Sequence, residues 1–439
     1  MERRTFIRNA AIAGVSLQLS PAIFTRGMPS ERIRLVSIGS HSRGLALAQT
    51  TARLKNVEFV YVCDTDSRVS DITRNEISKI TGKKPAGLPD FRKALEDKSV
   101  DGVIIATPDH WHAPATILAC AAGKHVYVEK PCSHNPAEGE LMVQAARKYN
   151  RIVQMGSQRR SWDKMIEAVS ALHDGIIGRV FFAQGWYTND RAPIGVGKLT
   201  DVPSWLNYDL WQGPAPRTPY KDNLIHYNWH WHWKWGTGEA LNNGTHEVDM
   251  MRWGLNVDYP SQVTSGGGRF MYSDDWETPD TQVITWEFPG NKACTWEGRS
   301  CNNLPVEGSG RGVIFFGEKG SMIIPGGNGY KVLDPKNKVI KEVAEVRTGS
   351  APDKTNTVGP GEALDGIHLQ NYLDCIRSGK SPNADIETGR KSTLLVQLGN
   401  IAFRTRQALD IDPATGHPKS EDAMKLWSRS YEPGWEPEV

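Results

Sequence analysis

The sequence predicts two unlike domains in series, followed by returning helices over residues 362–439. The first is an α/β domain wound around a parallel sheet over residues 31–155; the second is an α+β domain with an open, mainly antiparallel sheet over 156–361. Three patterns carry that expectation. Short β-branched runs alternate with helix-like stretches in the first third of the chain. Strand-like runs separated by Gly, Pro, Asn and Asp clusters fill the middle. Helical spacing of apolar residues resumes after residue 362. At 439 residues the chain is long enough to bury such cores without staples.

Charge and composition narrow the functions. The 52 Lys and Arg residues against 50 Asp and Glu leave a formal charge of +2, too small an excess for a general nucleic-acid binder. No apolar run approaches the roughly 20 residues that a membrane-spanning helix needs. Tryptophan is the outlier: 15 copies call for either a thick aromatic core or a surface on which flat rings stack against a ligand.

Taken in order, the chain opens with Arg3-Arg4-Thr5-Phe6-Ile7-Arg8 and a short, mildly apolar stretch over residues 10–19. This reads as a twin-arginine export leader over residues 1–30 and predicts a periplasmic location. Ile33–Ile38 reads as a strand, ending in Gly39-Ser40-His41-Ser42-Arg43-Gly44 and followed by a helix. A strand, a glycine turn and a helix N-terminus form an anion site, because turn N–H groups and the positive end of the helix dipole converge. A second strand, Val57–Cys63, delivers Asp64, placed to bond a ribose 2′-hydroxyl and repel a 2′-phosphate. That is a Rossmann dinucleotide site favouring NAD over NADP. His41 stands where the fingerprint has its middle glycine, so its side chain has to turn away from the phosphates. Residues 100–106 form an apolar strand running into Thr107-Pro108-Asp109-His110, and His125–Val128 runs into Glu129-Lys130-Pro131. Ligands of such sheets bind at the carboxyl ends of the strands, where these turns lie.

On Gly39 to Gly44, Asp64, Thr107-Pro108-Asp109-His110-Trp111-His112 and above all Glu129-Lys130-Pro131, the first domain resembles the Gfo/Idh/MocA oxidoreductases. The stretch from His368 through Asn371-Tyr372-Leu373-Asp374 to Pro382-Asn383-Ala384-Asp385-Ile386-Glu387 resembles the exported subset of that family. The resemblance implies oxidation of a sugar hydroxyl and a homo-oligomer, a dimer or a tetramer. It places NAD against Gly39, Ser40, His41, Ser42, Arg43, Gly44, Asp64, Thr107, Pro108, His110, His112, Glu129 and Lys130.

The second domain takes its strands from residues 178–187, 263–265, 281–288, 293–299 and 313–317. Its densest chemistry is Trp229-His230-Trp231-His232 and a helix from about Glu239, on which Asn242, His246, Asp249 and Trp253 share a face. In the family such a helix lines the nicotinamide pocket and carries an acid four residues before a histidine. The resemblance therefore makes His246 the catalytic base, with Asn242 in the acid's place and Asp249 or Glu239 compensating. Imidazole suits a proton acceptor at neutral pH, and Lys130 supplies positive charge to a developing alkoxide. Trp229, His230, Trp231, His232 and Asp249 are the expected sugar contacts, unless the tryptophans are core. In an extended segment His230 and His232 would face away from the tryptophans. No carboxylate stands out beside them, so no metal is expected. Only Cys294 and Cys301 could be bridged, across a hairpin.

Three functions fit these readings. The first is a sugar dehydrogenase, with a nucleotide held tightly because free NAD is scarce outside the cytoplasm. The second is a redox-neutral glycosidase or lyase that oxidises C3 transiently and eliminates. The third is a non-catalytic sugar or nucleotide sensor.

Overall fold

The computed structural model describes residues 32–345 and 362–439; the leader and most of the polar stretch 345–361 lie outside the described residues. Strands β1 (Ile33–Ile38), β2 (Val57–Cys63), β3 (Ala86–Leu88), β4 (Gly102–Ile105), β5 (His125–Val128) and β6 (Val153–Met155) form a parallel sheet in the order β3-β2-β1-β4-β5-β6. Both faces are apolar because helices cover both. Val36, Val103 and Val126 enter one core, and Leu35, Ile104 and Tyr127 the other. The strand order reverses between β1 and β4, which opens a crevice at their carboxyl ends. Gly39 adopts a φ of +83°, and a Cβ there would come within 2.5 Å of the Ala106 carbonyl oxygen. Only glycine lets the turns after β1 and β4 meet so closely.

The second sheet has the order β14-β13-β12-β11-β7-β10-β9-β8-β15. Its members are β7 (Val180–Thr188), β8 (Gln262–Gly268), β9 (Thr281–Phe288), β10 (Lys292–Arg299), β11 (Arg311–Gly317), β12 (Gly320–Pro325), β13 (Tyr330–Leu333), β14 (Val339–Val343) and β15 (Leu409–Asp410). Neighbours are antiparallel except β7 with β10, so the sheet is mixed. Along β9, Ile284, Trp286 and Phe288 enter the core while Val283 is exposed, the period-2 signature of a sheet covered on one face. The covering helices include Asp163–His173, Thr245–Leu255 and Ile386–Thr405. The helix Glu362–Ser378 returns to the first domain and buries Leu369, Tyr372 and Leu373 beside Leu35 and Tyr127. No helix among the described residues is long and apolar enough to cross a membrane.

Cys294 and Cys301, the one pair the sequence left open to bridging, are not bridged, and all six cysteines are free thiols. The two lie on β10 and its continuation, not on the arms of a hairpin. At strand rise they are roughly 23 Å apart, far beyond disulfide reach.

Candidate active site

The helix Arg43–Ala52 starts at Ser42 without a side-chain cap; its Gly44 N–H donates to the His41 carbonyl at 2.9 Å, and no side chain competes with an anion for the rest of the helix end. Gly44 packs against the turn, where a Cβ would lie 2.1 Å from the Gly39 oxygen. Asp64 accepts the Ser40 N–H at 2.7 Å and the Asp66 N–H at 2.9 Å, which fixes its carboxylate at the end of β2. Ser40 Oγ, Thr107 Oγ1 and Ser157 Oγ, at the carboxyl ends of β1, β4 and β6, are buried hydroxyls without hydrogen-bond partners. An uncapped helix, a glycine cradle and orphaned hydroxyls along one edge fit a dinucleotide. His41 is turned outward and stacks on His226 with ring centroids 4.5 Å apart, which reconciles an imidazole with the middle position of the turn.

Four residues predicted to contact the cofactor have their polar groups engaged elsewhere; Glu129 is one, buried and accepting from Arg43 at 2.9 Å, the Lys130 N–H at 3.2 Å and Gln158 at 3.3 Å. The Arg43 guanidinium is bound by Asp365 at 2.7 and 3.0 Å and by Glu129 at 2.9 Å, so only its backbone faces the turn. His110 is fully buried, its Nε2 donating to the Trp211 carbonyl at 3.0 Å, and burial pushes its ring down to about 3. Both ring nitrogens of His112 are occupied by the carbonyls of Pro131 (2.6 Å) and Thr107 (2.8 Å). The first turn of the helix Asp109–Ala121 meets the second domain through His110, while His112 fastens the turns after β4 and β5 to each other.

Burial pushes the Asp64 carboxyl up to about 6. Above that pH its charge repels a 2′-phosphate; below it the neutral acid does not. The preference for NAD over NADP is therefore expected to shrink as pH falls through about 6 and to lose this pH dependence in Asp64→Asn. Titrating both nucleotides across that range checks it.

Lys130, half-buried at the end of β5, donates from Nζ to the Asn242 backbone oxygen at 2.6 Å and lies 3.4 Å from Asn242 Oδ1. Residues Ala240–Gly244 form a π-helical turn ahead of the α-helix Thr245–Leu255, the kind of local widening that shifts carbonyls out of ordinary helix register. Burial lowers the lysine below its ordinary range, opposed by the charges of Glu129 and Asp109. His246 follows on the same element, and no described residue hydrogen-bonds its ring. Burial and the charges of Arg311, Lys130, Arg159 and Arg43 hold that ring well below the ordinary imidazole range, so it is neutral.

Asn242 lies in the π turn, whereas His246, Asp249 and Trp253 stay together on the α-helix Thr245–Leu255. Asp249 is 1% exposed and faces the interior, gripped by Arg160 Nε at 3.0 and 2.8 Å and by Ser392 Oγ at 2.5 Å, so it offers nothing to a sugar. Glu239 does not compensate either: it pairs with Arg191 and accepts from Asn242, Asn243 and Ser300. The aromatic run is also not extended, since Asn228–Trp231 is a 3₁₀ turn. Trp231 is 1% exposed, stacked on Trp276 at 4.0 Å, and Trp229 is buried against His230 at 3.6 Å; both are core. His232 is buried beside Glu277 at 3.3 Å, the carboxylate that spacing did not reveal. His230 alone of this group is half-buried and close enough to feel the Lys130 charge; burial pushes it down to about 3. Among the described residues no cluster of His, Cys, Asp and Glu could hold a metal ion.

Sequence reasoning missed Arg159, Arg311 and Glu247. Arg311 binds both oxygens of Glu247 at 2.9 and 3.2 Å, and Arg159 lies 3.7 Å from the same carboxylate. They come from three separate elements, with no spacing that links them in sequence.

Residues 33–157 match a family described as oxidoreductases with an NAD-binding Rossmann fold, and residues 197–411 match that family's C-terminal α/β domain. The chain belongs to the Gfo/Idh/MocA oxidoreductase family. Among curated relatives of this Gfo/Idh/MocA chain is a glycosyl hydrolase family 109 protein of Saccharopolyspora erythraea. It is 27% identical over 252 residues, 50% of the present chain and 55% of that protein. A second, from Stenotrophomonas maltophilia, is 35% identical over 136 residues, 29% of each chain. The alignments thus span about half of one relative and under a third of the other. Among solved structures, levoglucosan dehydrogenase with NADH and levoglucosan superposes with a TM-score of 0.65 at 18% identity, covering 86% of this chain and 99% of that one. The aldose-aldose oxidoreductase of Caulobacter crescentus, complexed with glycerol, gives 0.64 at 16% identity, covering 87% and 100%. At these identities the likeness is one of fold.

Proposed function

We propose that this Gfo/Idh/MocA chain oxidises or reduces a hydroxyl-bearing carbon of a sugar or sugar derivative, using an NAD(H) that it holds through turnover. The main support is one pairing beside the nucleotide groove: the Lys130 ammonium, and on the adjoining turn the neutral His246 ring with no described hydrogen-bond partner. Bound nicotinamide supplies the hydride acceptor. His246 takes the hydroxyl proton, and the surrounding cations make its imidazolium a short-lived carrier that passes the proton on. Lys130 stabilises the alkoxide as it develops. At ~4 Å and an effective dielectric of ~20 that attraction is roughly 4 kcal/mol before desolvation. The direct hydrogen-bond partner of the lysine is the Asn242 backbone carbonyl, while the charges of Glu129 and Asp109 act on the ammonium without pairing with it.

His246→Gln is expected to lower kcat about 10²-fold. In the wild type the acid limb of kcat/KM should fall below the ordinary imidazole range, since the ring is neutral down to that pH. The reading itself is tested by supplying NAD and a panel of aldoses and anhydrosugars and following NADH absorbance. Failure of every sugar to reduce either added or retained nucleotide would sink it.

The glycosyl hydrolase family 109 relatives favour a second reading, redox-neutral glycoside cleavage in which C3 is oxidised to a ketone, the C2 proton is lost and the aglycone eliminated, water adds to the enone, and the hydride returns from NADH to C3. It requires aglycone release without net NADH, and deuterium from solvent at C2. Export through the leader and assembly into a dimer or tetramer belong to the same proposal; a periplasmic extract and sedimentation test them.

A further inference from the structure

A segment of the second domain crosses onto the nucleotide edge of the first. Leu206 forms an antiparallel bridge with Asp66; the Ser67 N–H donates to the Trp205 oxygen at 3.1 Å, and the Asn207 N–H to the Thr65 oxygen at 2.9 Å. The Arg68 guanidinium sits 3.4 Å from the centre of the Trp205 ring and bonds Asp66. Twenty residues further on, His226 places Nε2 2.8 Å from Asp66 Oδ2, and its ring stacks on His41 with planes 10° apart. Asp66 is fully buried and the His226 side chain is 18% exposed, so the joint is a packed one.

The two contacts join neighbouring turns of the nucleotide edge, which the Ser40 N–H to Asp64 bond also links. His41 belongs to the glycine turn, where a pyrophosphate is received, and Asp66 follows Asp64, which is placed for the ribose. We propose that His226 is a nucleotide-retaining residue, tying the glycine turn to the end of β2 so that NAD(H) leaves only when its contacts with His41 and Asp66 part. This gives the imidazole at position 41 a role that glycine could not fill. It rests on the reading that the chain holds its nucleotide, and it names the side chains responsible. Closure of this kind acts on release far more than on capture.

The test uses the full chain charged with NADH, chased with excess NAD, while loss of NADH fluorescence is followed by stopped flow. His226→Ala and His41→Gly are each expected to speed release about tenfold or more, with association little changed. Because both substitutions break one bridge, the double variant should release no faster than the faster single. Asp66→Asn keeps an acceptor for the Arg68 N–H and should accelerate release with less risk to folding. No sugar enters the experiment, so a chain that fails to oxidise sugars counts against the proposed reaction and leaves this result standing. Release in the variants within about twofold of wild type would overturn the proposal. Slower release, the mark of a side chain that obstructs the groove, or a wild type that holds no NADH at all, would do the same.

Discussion

Lys130→Met is expected to lower kcat about 10³-fold, because the roughly 4 kcal/mol of alkoxide stabilisation corresponds to about three decades in rate. Methionine keeps the length and apolar stem of the side chain and removes the charge. The glycine turn, the uncapped helix and Asp64 lie on β1 and β2, so nucleotide affinity should survive, and calorimetric titration with NAD separates the two effects. The pH profile gives a second check. Burial lowers the ammonium below the ordinary lysine range, so wild-type kcat/KM should fall on the alkaline side earlier than an exposed lysine would allow. That limb should be missing from the residual activity of Lys130→Met. A variant retaining more than about a tenth of wild-type turnover would remove Lys130 from the chemistry.

Glu247→Gln is expected to cost about 3–5 kcal/mol of stability, read as a lower denaturation midpoint with an unchanged denaturant slope. Glu247 is fully buried, and the two guanidiniums it serves, Arg311 and Arg159, are 3% and 5% exposed. Removing the carboxylate strands two charges away from water; removing an arginine as well relieves part of the burden. Glu247→Gln/Arg159→Met should therefore be more stable than Glu247→Gln alone. Midpoints in the reverse order would mean that the cluster is held by packing and not by charge.

The parallel sheet, the glycine turn and Asp64 were legible in the sequence because each is written locally, in strand-length apolar runs and in a turn that only glycine fits. Lys130, Asn242 and His246 are gathered in space as the family resemblance implies. Asp249 went astray because helical spacing places it beside His246 without revealing that Arg160 and Ser392, 89 and 143 residues away in the chain, take its carboxylate. Trp231, His232 and His110 are buried by partners far away in the chain, which composition does not reveal, while His112 is taken by the carbonyls of nearby turns at Thr107 and Pro131. His226 meets Asp66 across 160 residues and Arg311 meets Glu247 across 64. The first pairing exists only once the domains have docked, and the second only once the helix Thr245–Leu255 has packed on its sheet.

The π turn at Ala240–Gly244 has a bearing on how this site can vary. Its grip on Lys130 comes through a main-chain carbonyl, so replacing the Asn242 side chain leaves the 2.6 Å contact in place. Deleting one residue from the turn would restore α-helical register and draw that carbonyl into the helix's own ladder. The site is therefore tolerant of drift in identity at position 242 and intolerant of drift in length. Relatives sharing this way of holding the lysine should be recognised by the number of residues between Glu239 and His246 more than by which residues they are.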